Sequence, residues 1–312
     1  EGLGRQDHYS IMMENNNRYL EACAAGERAG LYYTCINSFL TADELAYILD
    51  NSESQILITS MSKLEVAIDA VSQSSKVRKV LVVDADANEL PDGFEDYSTT
   101  CQSFPATPID NERLGTSMLY SSGTTGRPKG IIRPLPEQPP ADALPMYDFL
   151  GQLWHYREDM IYLSPAPLYH SAPQAAVNLT IRQGGTVIIM ERFDPEAYLS
   201  LIEQYSVSHS QLVPTMFSRM LKLPEAVRKS YDLSSLEIAV HAAAPCPVMV
   251  KQQMIEWWGP IIHEYYGATE GLGFSACDTQ EWLAHPGTVG KIVLGELAVL
   301  DDEMQPLPQG TP

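Results

Sequence analysis

The feature that most constrains this chain is an alternation of short apolar runs with amphipathic helical stretches. The pattern predicts strands at 31–36, 55–59, 79–84, 117–121, 161–164, 186–190, 207–213, 236–240 and 261–266. It predicts helices at 14–29, 41–51, 62–74, 171–183, 194–205, 214–222 and 247–258. The helix at 41–51 begins with the spacing of a capping box, formed by Thr41 and Glu44. Continuous apolar strands separated by helices are typical of parallel sheets covered on both faces. We therefore expect an α/β protein with two doubly wound, mostly parallel sheets sandwiched by helices.

Changes in the sequence pattern along the chain predict three subdomains. A first α/β subdomain is expected at residues 1–158 and a second at 159–286. From Gly287 the segment GTVGKIVLGELAVL is typical of twisted antiparallel strands, so 287–312 is interpreted as the beginning of a small β subdomain. Because the chain opens on Glu1 and closes on Pro312 without completing an element, we expect it to belong to something longer.

The chain is acidic, with 40 Asp or Glu against 20 Lys or Arg and a formal net charge of −20. This balance disfavours nucleic acid as the main partner, because phosphate backbones require clustered cations, whereas a nucleotide substrate needs only one favourable pocket. No apolar run approaches the roughly 20 residues that span a bilayer, and the polar residues 14–18 interrupt any signal peptide. Five cysteines without C-x-x-C spacing predict a reduced, cytoplasmic setting, and seven histidines without ligand spacing disfavour a zinc site.

The segment YSSGTTGRPKG at 120–130 follows directly after an apolar strand. Its glycines permit backbone conformations that point several N–H groups at one anion, its hydroxyls add donors, and Lys129 adds a positive charge. Pro128 stands where a Walker A loop has its second glycine, so the segment is not a Walker A loop. A flexible Ser/Gly linker is the alternative, but such a linker rarely ends in Arg-Pro-Lys-Gly behind a buried strand.

This segment resembles the phosphate-loop signature of the adenylate-forming superfamily, which contains acyl-CoA synthetases, luciferases and the adenylation domains of peptide synthetases. Three further segments resemble motifs of that family in the same order: LYH at 168–170, HAAAP at 241–245 and EYYGATE at 264–270. The GTVG turn at 287–290 also fits. The resemblance implies two α/β subdomains followed by a small β-barrel, and 114–290 is most similar to fatty-acyl-CoA synthetases.

In this family a carboxylate attacks the α-phosphate of ATP, which expels pyrophosphate and leaves an acyl adenylate. A thiol, usually that of coenzyme A, then displaces AMP. By resemblance, the β- and γ-phosphates are held by Ser121, Ser122, Gly123, Thr124, Thr125, Gly126 and Lys129. Thr269 would donate to the α-phosphate, and Glu270 would hold Mg²⁺, a cation that prefers carboxylate oxygen.

The resemblance also assigns the adenine and acyl ends of the site. Tyr266 would stack on the adenine, and the other residues assigned to the nucleotide are Ala243, Ala244, Glu264, Tyr265 and Gly267. His170 would lie beside the acyl and adenylate pocket. Each role has a structural alternative: His170 as an ordinary strand-end histidine, Tyr266 as core packing, and Glu270 as a carboxylate favoured at a helix N-terminus.

The acyl substrate stays open. Met216, Phe217, Met220 and Leu221 could line an apolar acyl tunnel, but their spacing equally suits the core of a helix. A fatty or other apolar acid is expected, with an aryl-acid CoA ligase and a nucleotide-binding homologue without catalysis as the alternatives. A Rossmann dehydrogenase is disfavoured because no G-x-G-x-x-G follows an early strand.

The family pattern extends further than these 312 residues. A ribose-binding aspartate, a hinge arginine and a mobile C-terminal domain with its lysine are expected beyond them, so weak or absent turnover is expected of this chain alone. The expected partners are a carboxylic acid, ATP and coenzyme A, with a homodimer left open.

Overall fold

A computed structural model describes residues 2–86, 90–121, 127–268, 271, 273–308 and 310. The chain divides into two compact units, one formed by Glu1–Met160 with Ser164–Arg192, and the other by Ile161–Leu163 with Phe193–Pro312. The subdomain boundaries predicted after residues 158 and 286 stay predictions.

The elements up to residue 160 include every predicted helix and strand, and also elements at 8–12, 94–102, 129–131 and 145–153 that the sequence pattern did not predict. In chain order they are β1 (His8–Met12), α1 (Asn17–Ala29), β2 (Tyr32–Cys35), α2 (Ala42–Asn51), β3 (Ser54–Ser60), α3 (Leu64–Gln73), β4 (Lys79–Val83), β5 (Phe94–Asp96), α4 (Tyr97–Gln102), β6 (Thr116–Ser117), β7 (Leu119–Ser121), β8 (Lys129–Ile131) and α5 (Pro145–Leu153). A short 3₁₀ helix, Met61–Lys63, leads into α3.

The alternation continues to the end of the described chain. These elements are β9 (Ile161–Ser164), α6 (Ser171–Arg182), β10 (Thr186–Ile189), α7 (Pro195–Tyr205), β11 (His209–Leu212), α8 (Pro214–Leu221), α9 (Glu225–Arg228), β12 (Ile238–His241), α10 (Val248–Trp258), β13 (Ile262–Gly267), β14 (Phe274–Cys277), α11 (Thr279–Ala284) and β15 (Lys291–Leu294). Helix α6 and strand β10 belong to the first unit. The predicted α/β class with mostly parallel strands is confirmed.

The first unit is built around a parallel sheet with the strand order β5-β4-β3-β1-β2-β6. Strand β1 lies in its middle, where Ile11 is opposite Cys35 of β2 on one side and Ile58 of β3 on the other. The sequence pattern missed β1 because Ser10 interrupts its apolar run. Ser10 is fully buried, and its hydroxyl shares a hydrogen bond of 2.6 Å with the hydroxyl of Ser54. A buried polar group is tolerated here because its partner is buried with it.

Helix α2 begins with the predicted capping box. The Thr41 backbone N–H donates to the Glu44 carboxylate at 2.9 Å, and the Glu44 N–H donates to the Thr41 hydroxyl at 3.5 Å. The apolar face of the helix packs with α3 and the sheet. The buried residues of this core are Met12, Ile36, Leu45, Ala46, Ile48, Leu49, Leu57, Ala67, Ala70, Val80 and Val82.

The sheet of the second unit orders its strands β9-β11-β12-β13-β14-β15. The pairs from β9 to β13 are parallel, and β13-β14 and β14-β15 are antiparallel. The antiparallel part therefore begins at Phe274, before the change predicted at Gly287. The connection from β13 to β14 is too short for the crossover that a parallel pair requires. Among the described residues, no helix combines the length and apolar character needed to cross a bilayer.

Gly115 packs directly against the backbone of the first unit. A Cβ at this position would lie 2.1 Å from the Gly26 carbonyl oxygen and 2.4 Å from the Leu31 carbonyl oxygen. We expect Gly115→Ala to lower the free energy of unfolding by about 3 kcal/mol or more, because backbone atoms cannot move aside cheaply. Urea unfolding followed by circular dichroism measures the loss.

Gly4→Ala is the matched control, since a Cβ there would meet only an Asp7 carboxylate oxygen at 3.8 Å. Equal stabilities of the two variants would contradict the close packing at Gly115.

Candidate functional site

The phosphate-loop motif is flanked by two short paired strands. β7 and β8 are antiparallel, with Tyr120 opposite Gly130 and Ser121 opposite Lys129. The Lys129 residue is exposed. The predicted phosphate ligands between the strands, Ser122, Gly123, Thr124, Thr125 and Gly126, lie outside the described residues, as does the side chain of Ser121. The register nevertheless brings the first and last predicted ligands, Ser121 and Lys129, to directly opposite positions.

Gly130 packs against the side chains of Met118 and Tyr120. A Cβ at Gly130 would lie 2.3 Å from the Met118 methyl carbon and 3.2 Å from the Tyr120 ring. The Met118 methyl group is the end of a flexible side chain and can move aside, so packing alone does not require a glycine at this position.

His170 caps the N-terminus of α6 through its backbone. Its carbonyl oxygen accepts from the Gln174 N–H at 3.2 Å, and its ring lies 4.4 Å from the Tyr169 ring. Partial desolvation lowers the pKa of His170 below its ordinary value near 6.5. The imidazole is therefore neutral at pH 7, with one nitrogen to donate and one to accept a hydrogen bond.

Asn15 holds the segment that carries His170. The buried Asn15 amide donates to the carbonyl oxygens of Ala166 at 2.9 Å and Met190 at 3.1 Å, and its oxygen accepts from the Leu168 N–H at 2.8 Å. Sequence reasoning missed this residue, because the polar run at 14–18 was interpreted only as excluding a signal peptide. The signal present in the sequence was an asparagine three residues after the strand that ends at Met12.

Strands β12 and β13 bring the two predicted adenine motifs to one edge of the second unit's sheet. They are parallel neighbours, with His241 opposite Glu264, so the segments that follow them leave the sheet on the same side. Ala243 has a φ of 73°, a left-handed conformation that is uncommon for a residue with a Cβ. It is exposed, as is Ala244. The strained turn thus presents its backbone at the carboxyl end of the sheet, where ligands of α/β proteins bind.

Adjacent tyrosines of β13 lie in different surroundings. Tyr266 is 61% exposed, and Gly267 beyond it is exposed too. Tyr265 stacks on Phe274 with ring centroids 4.9 Å apart, and its hydroxyl accepts from the Gln211 amide at 2.8 Å. Burial raises the pKa of Tyr265 to about 12. Because successive strand side chains point to opposite faces, Tyr266 is the tyrosine available to a ligand. Gly267 ends β13, two residues before Thr269. The predicted ligands Thr269 and Glu270 lie outside the described residues.

The Glu264 side chain faces the interior. It is buried, and its carboxylate accepts from the fully buried Lys251 ammonium at 2.5 Å, with His241 Nε2 3.4 Å from the same oxygen. The Lys251 ammonium also lies 5.0 Å from the centroid of the Trp282 ring. A contact between Glu264 and a nucleotide would therefore have to be made by its backbone. Sequence reasoning missed the Lys251–Glu264 pair, although a single lysine in the apolar turn VMVKQQM was a signal.

His241 is neutral in this surrounding. Burial, and then the positive charge of Lys251, lower the pKa of His241 to about 3. Its ring meets the Phe217 ring edge-on at 5.3 Å, and Phe217 in turn meets Trp258 at 5.8 Å. Phe217, Met216 and Met220 are buried in the second unit, which favours the helix-core interpretation of these residues over a tunnel. Among the described residues, no group of three or more His, Cys, Asp or Glu side chains is placed to hold a metal ion.

The comparisons with known proteins agree with these motifs. Residues 1–312 match the family model described as AMP-binding enzyme. The medium/long-chain-fatty-acid–CoA ligase FadD8 of Mycobacterium tuberculosis is 24% identical over 318 residues, covering 99% of this chain and 54% of that protein. A feruloyl-CoA synthase of an Amycolatopsis species is 30% identical over 282 residues, covering 86% and 50%. The chain spans about half the length of the curated relatives it matches.

A solved structure shows the same fold. The N-terminal domain of FACL13 from Mycobacterium tuberculosis superposes with a TM-score of 0.80 at 22% identity, covering 98% of this chain and 74% of that one. The α/β architecture predicted from the sequence is therefore that of a known N-terminal domain.

The buried Lys251–Glu264 pair predicts how substitutions change the stability of the second unit. We expect Lys251→Met to lower the free energy of unfolding by about 3–5 kcal/mol, because it leaves the Glu264 carboxylate buried without its cationic partner, beside a neutral His241. The double variant Lys251→Met/Glu264→Gln should recover much of that loss, since no unpaired charge remains. Urea unfolding of the three proteins checks this, and a double variant as unstable as the single one would contradict it.

The His241 environment predicts a pH dependence. Above about pH 6.5 this histidine is neutral in both the folded and the unfolded state. Below it only the unfolded state gains the proton, because the folded pKa is about 3, so stability falls as the pH falls. Between about pH 7 and 5.5 we expect His241→Gln to lose about 1 kcal/mol less than the parent protein. Parallel pH profiles of the two unfolding free energies would contradict the buried neutral imidazole.

Proposed function

The chain belongs to the AMP-binding enzyme family, and from that premise we propose that its protein activates a carboxylic acid with ATP, releasing pyrophosphate, and passes the acyl group to coenzyme A. The observation that carries the proposal is the shared edge of β12 and β13. β12 and β13 are neighbouring parallel strands. The left-handed turn at Ala243 follows β12, and the exposed Tyr266 lies near the end of β13, so both lie at the same edge of the sheet.

The adenine end is supported by chemistry as well as position. A purine is a flat aromatic ring, and an exposed tyrosine beside a glycine offers it a stacking face without a side chain in the way. Tyr266 and Gly267 supply that arrangement at the end of β13. Ala243 and Ala244 carry small side chains, so the backbone of the turn can approach the ring closely.

The phosphate end is proposed at the hairpin of β7 and β8. Lys129 supplies an exposed ammonium on a chain whose net charge is −20, so it is a local attraction for an anion on a largely acidic protein. Attack on the α-phosphate needs positioning and charge neutralisation more than an acid–base pair. Thr269 is proposed to donate to the α-phosphate, and Glu270 is proposed to hold Mg²⁺.

His170 is proposed to lie at the acyl end. Because the imidazole is neutral at pH 7, it can hydrogen-bond near the reacting carboxylate without holding it in an ion pair. Such an ion pair would stabilise the ground state of the nucleophile and so slow its attack.

The acid is proposed to be a fatty or other apolar acid, with an aryl acid as the second candidate. The first is supported by similarity to a medium/long-chain-fatty-acid–CoA ligase, and the second by similarity to a feruloyl-CoA synthase. Because Met216, Phe217 and Met220 are buried in the core, these three side chains favour neither class of acid. The cytoplasmic setting and the homodimer stay predictions.

Tyr266→Ala tests the adenine end. We expect it to weaken ATP binding about tenfold or more, because base–aromatic stacking contributes about 1–3 kcal/mol, while Tyr266→Phe retains the stacking face and binds nearly as the parent. Titration calorimetry with ATP measures the change. Tyr205→Ala, an exposed tyrosine at the end of α7, is the control that should leave binding unchanged.

The reaction itself is tested on the longer gene product. Pyrophosphate release should depend on an added acid, and a panel of fatty and aromatic acids with coenzyme A identifies the substrate class. Release that stays silent across the whole panel would contradict the proposed function.

A further inference from the structure

We propose that helix α2 positions the phosphate-loop hairpin, with Tyr47 and Asn51 as positioning residues that set the affinity for ATP. The inference rests on the proposed function, because it assumes that the hairpin of β7 and β8 carries a phosphate-binding loop. It adds a helix some seventy residues earlier in the chain, outside every motif that the sequence singled out.

Tyr47 holds the side of the hairpin where the chain leaves the loop. Its hydroxyl donates to the Pro128 carbonyl oxygen at 3.1 Å. The Arg127 guanidinium carbon lies 4.8 Å from the centroid of the Tyr47 ring, within the range of a cation–π interaction. One side chain therefore contacts two consecutive residues immediately before Lys129, the predicted phosphate ligand.

Asn51 holds the side where the chain enters the loop. The Tyr120 hydroxyl donates to the Asn51 side-chain oxygen at 2.6 Å. Burial raises the pKa of Tyr120, so the hydroxyl keeps its proton and remains a donor at every physiological pH. Tyr120 immediately precedes Ser121, the first predicted phosphate ligand. The two contacts thus lie on either side of the loop.

The spacing of the two residues explains how one helix reaches both strands. Tyr47 and Asn51 are four residues apart, so they lie above one another on the same face of α2. Leu45, Ile48 and Leu49 are buried on the core side of the helix, and the capping box fixes its first turn. The helix is therefore a rigid support, fixed by contacts that are independent of the hairpin.

The hairpin needs such a support. β7 and β8 are three residues each, and an isolated two-stranded hairpin is marginally stable in water. Phosphate affinity depends on donors that are already in place when the ligand arrives, because ordering them on binding costs free energy. Contacts that fix both strands to α2 reduce that cost.

The test uses paired variants of the chain and measures ATP affinity by titration calorimetry. Tyr47→Leu removes the ring and the hydroxyl and should weaken ATP binding about tenfold, whereas Tyr47→Phe keeps the ring under Arg127 and should weaken it about threefold. Asn51→Leu should weaken binding about fivefold, whereas Asn51→Asp retains an acceptor for Tyr120 and should bind nearly as the parent. Asp43→Asn, an exposed change in the first turn of the same helix, is the control and should have no effect.

A second readout does not depend on ATP. Hydrogen–deuterium exchange of peptides covering 118–131 should be faster in Tyr47→Leu and Asn51→Leu than in the parent, while exchange in the core strands β1 and β3 stays unchanged. Exchange that rises equally throughout the first unit would show a general loss of stability and overturn the inference.

Lys129→Ala separates this inference from the proposed function. If Lys129→Ala weakens ATP binding while Tyr47→Leu and Asn51→Leu do not, the positioning role is overturned and the proposed function stands. An Asn51→Asp variant as weak as Asn51→Leu overturns it as well. If the parent chain binds no ATP, the inference is overturned, whereas the proposed function is decided by pyrophosphate release from the longer gene product.

Discussion

Strand β1 lies between β2 and β3 in a sheet whose neighbours are all parallel, and such a sheet is covered on both faces. A polar side chain along these strands either hydrogen-bonds to a buried partner or lowers the free energy of unfolding. Ser10 meets that condition with Ser54. Chemistry that requires solvent and substrate is therefore confined to the points where strands end, which is where the exposed Tyr266, the turn at Ala243 and the predicted phosphate loop occur.

In the second unit, the need for a buried partner extends to charged side chains. Lys251 reaches from α10 to Glu264 on β13, and the two ions neutralise each other where water does not reach them. This bond joins the helix that follows the Ala243 turn to the strand that ends in Tyr266. Both predicted adenine segments are thus anchored by one interaction in the interior. The pair is costly to break and holds two surface segments to a common support.

The sequence predicts well what depends on local pattern and poorly what depends on distant contacts. The alternation of strands and helices and the capping box at Thr41 follow from periodicity and short-range hydrogen bonding, and the structure confirms them. The motifs indicate the candidate residues. They do not show that the side chains of Glu264 and Tyr265 are packed against other parts of the second unit. Asn15 bonds to residues more than 150 positions away, and no local pattern reveals such a partner.

Each of the two units is made of two separate segments of the chain. The polypeptide leaves the first unit after Met160, contributes Ile161–Leu163 to the second, returns at Ser164 and leaves again after Arg192. A recombinant fragment beginning at 193 would lack β9, whose Tyr162 and Leu163 pair with β11. β11 would become an exposed edge strand with unpaired backbone groups, which invites aggregation. Neither unit is therefore a single continuous segment of the chain, and a fragment meant to contain the whole second unit has to begin before Ile161.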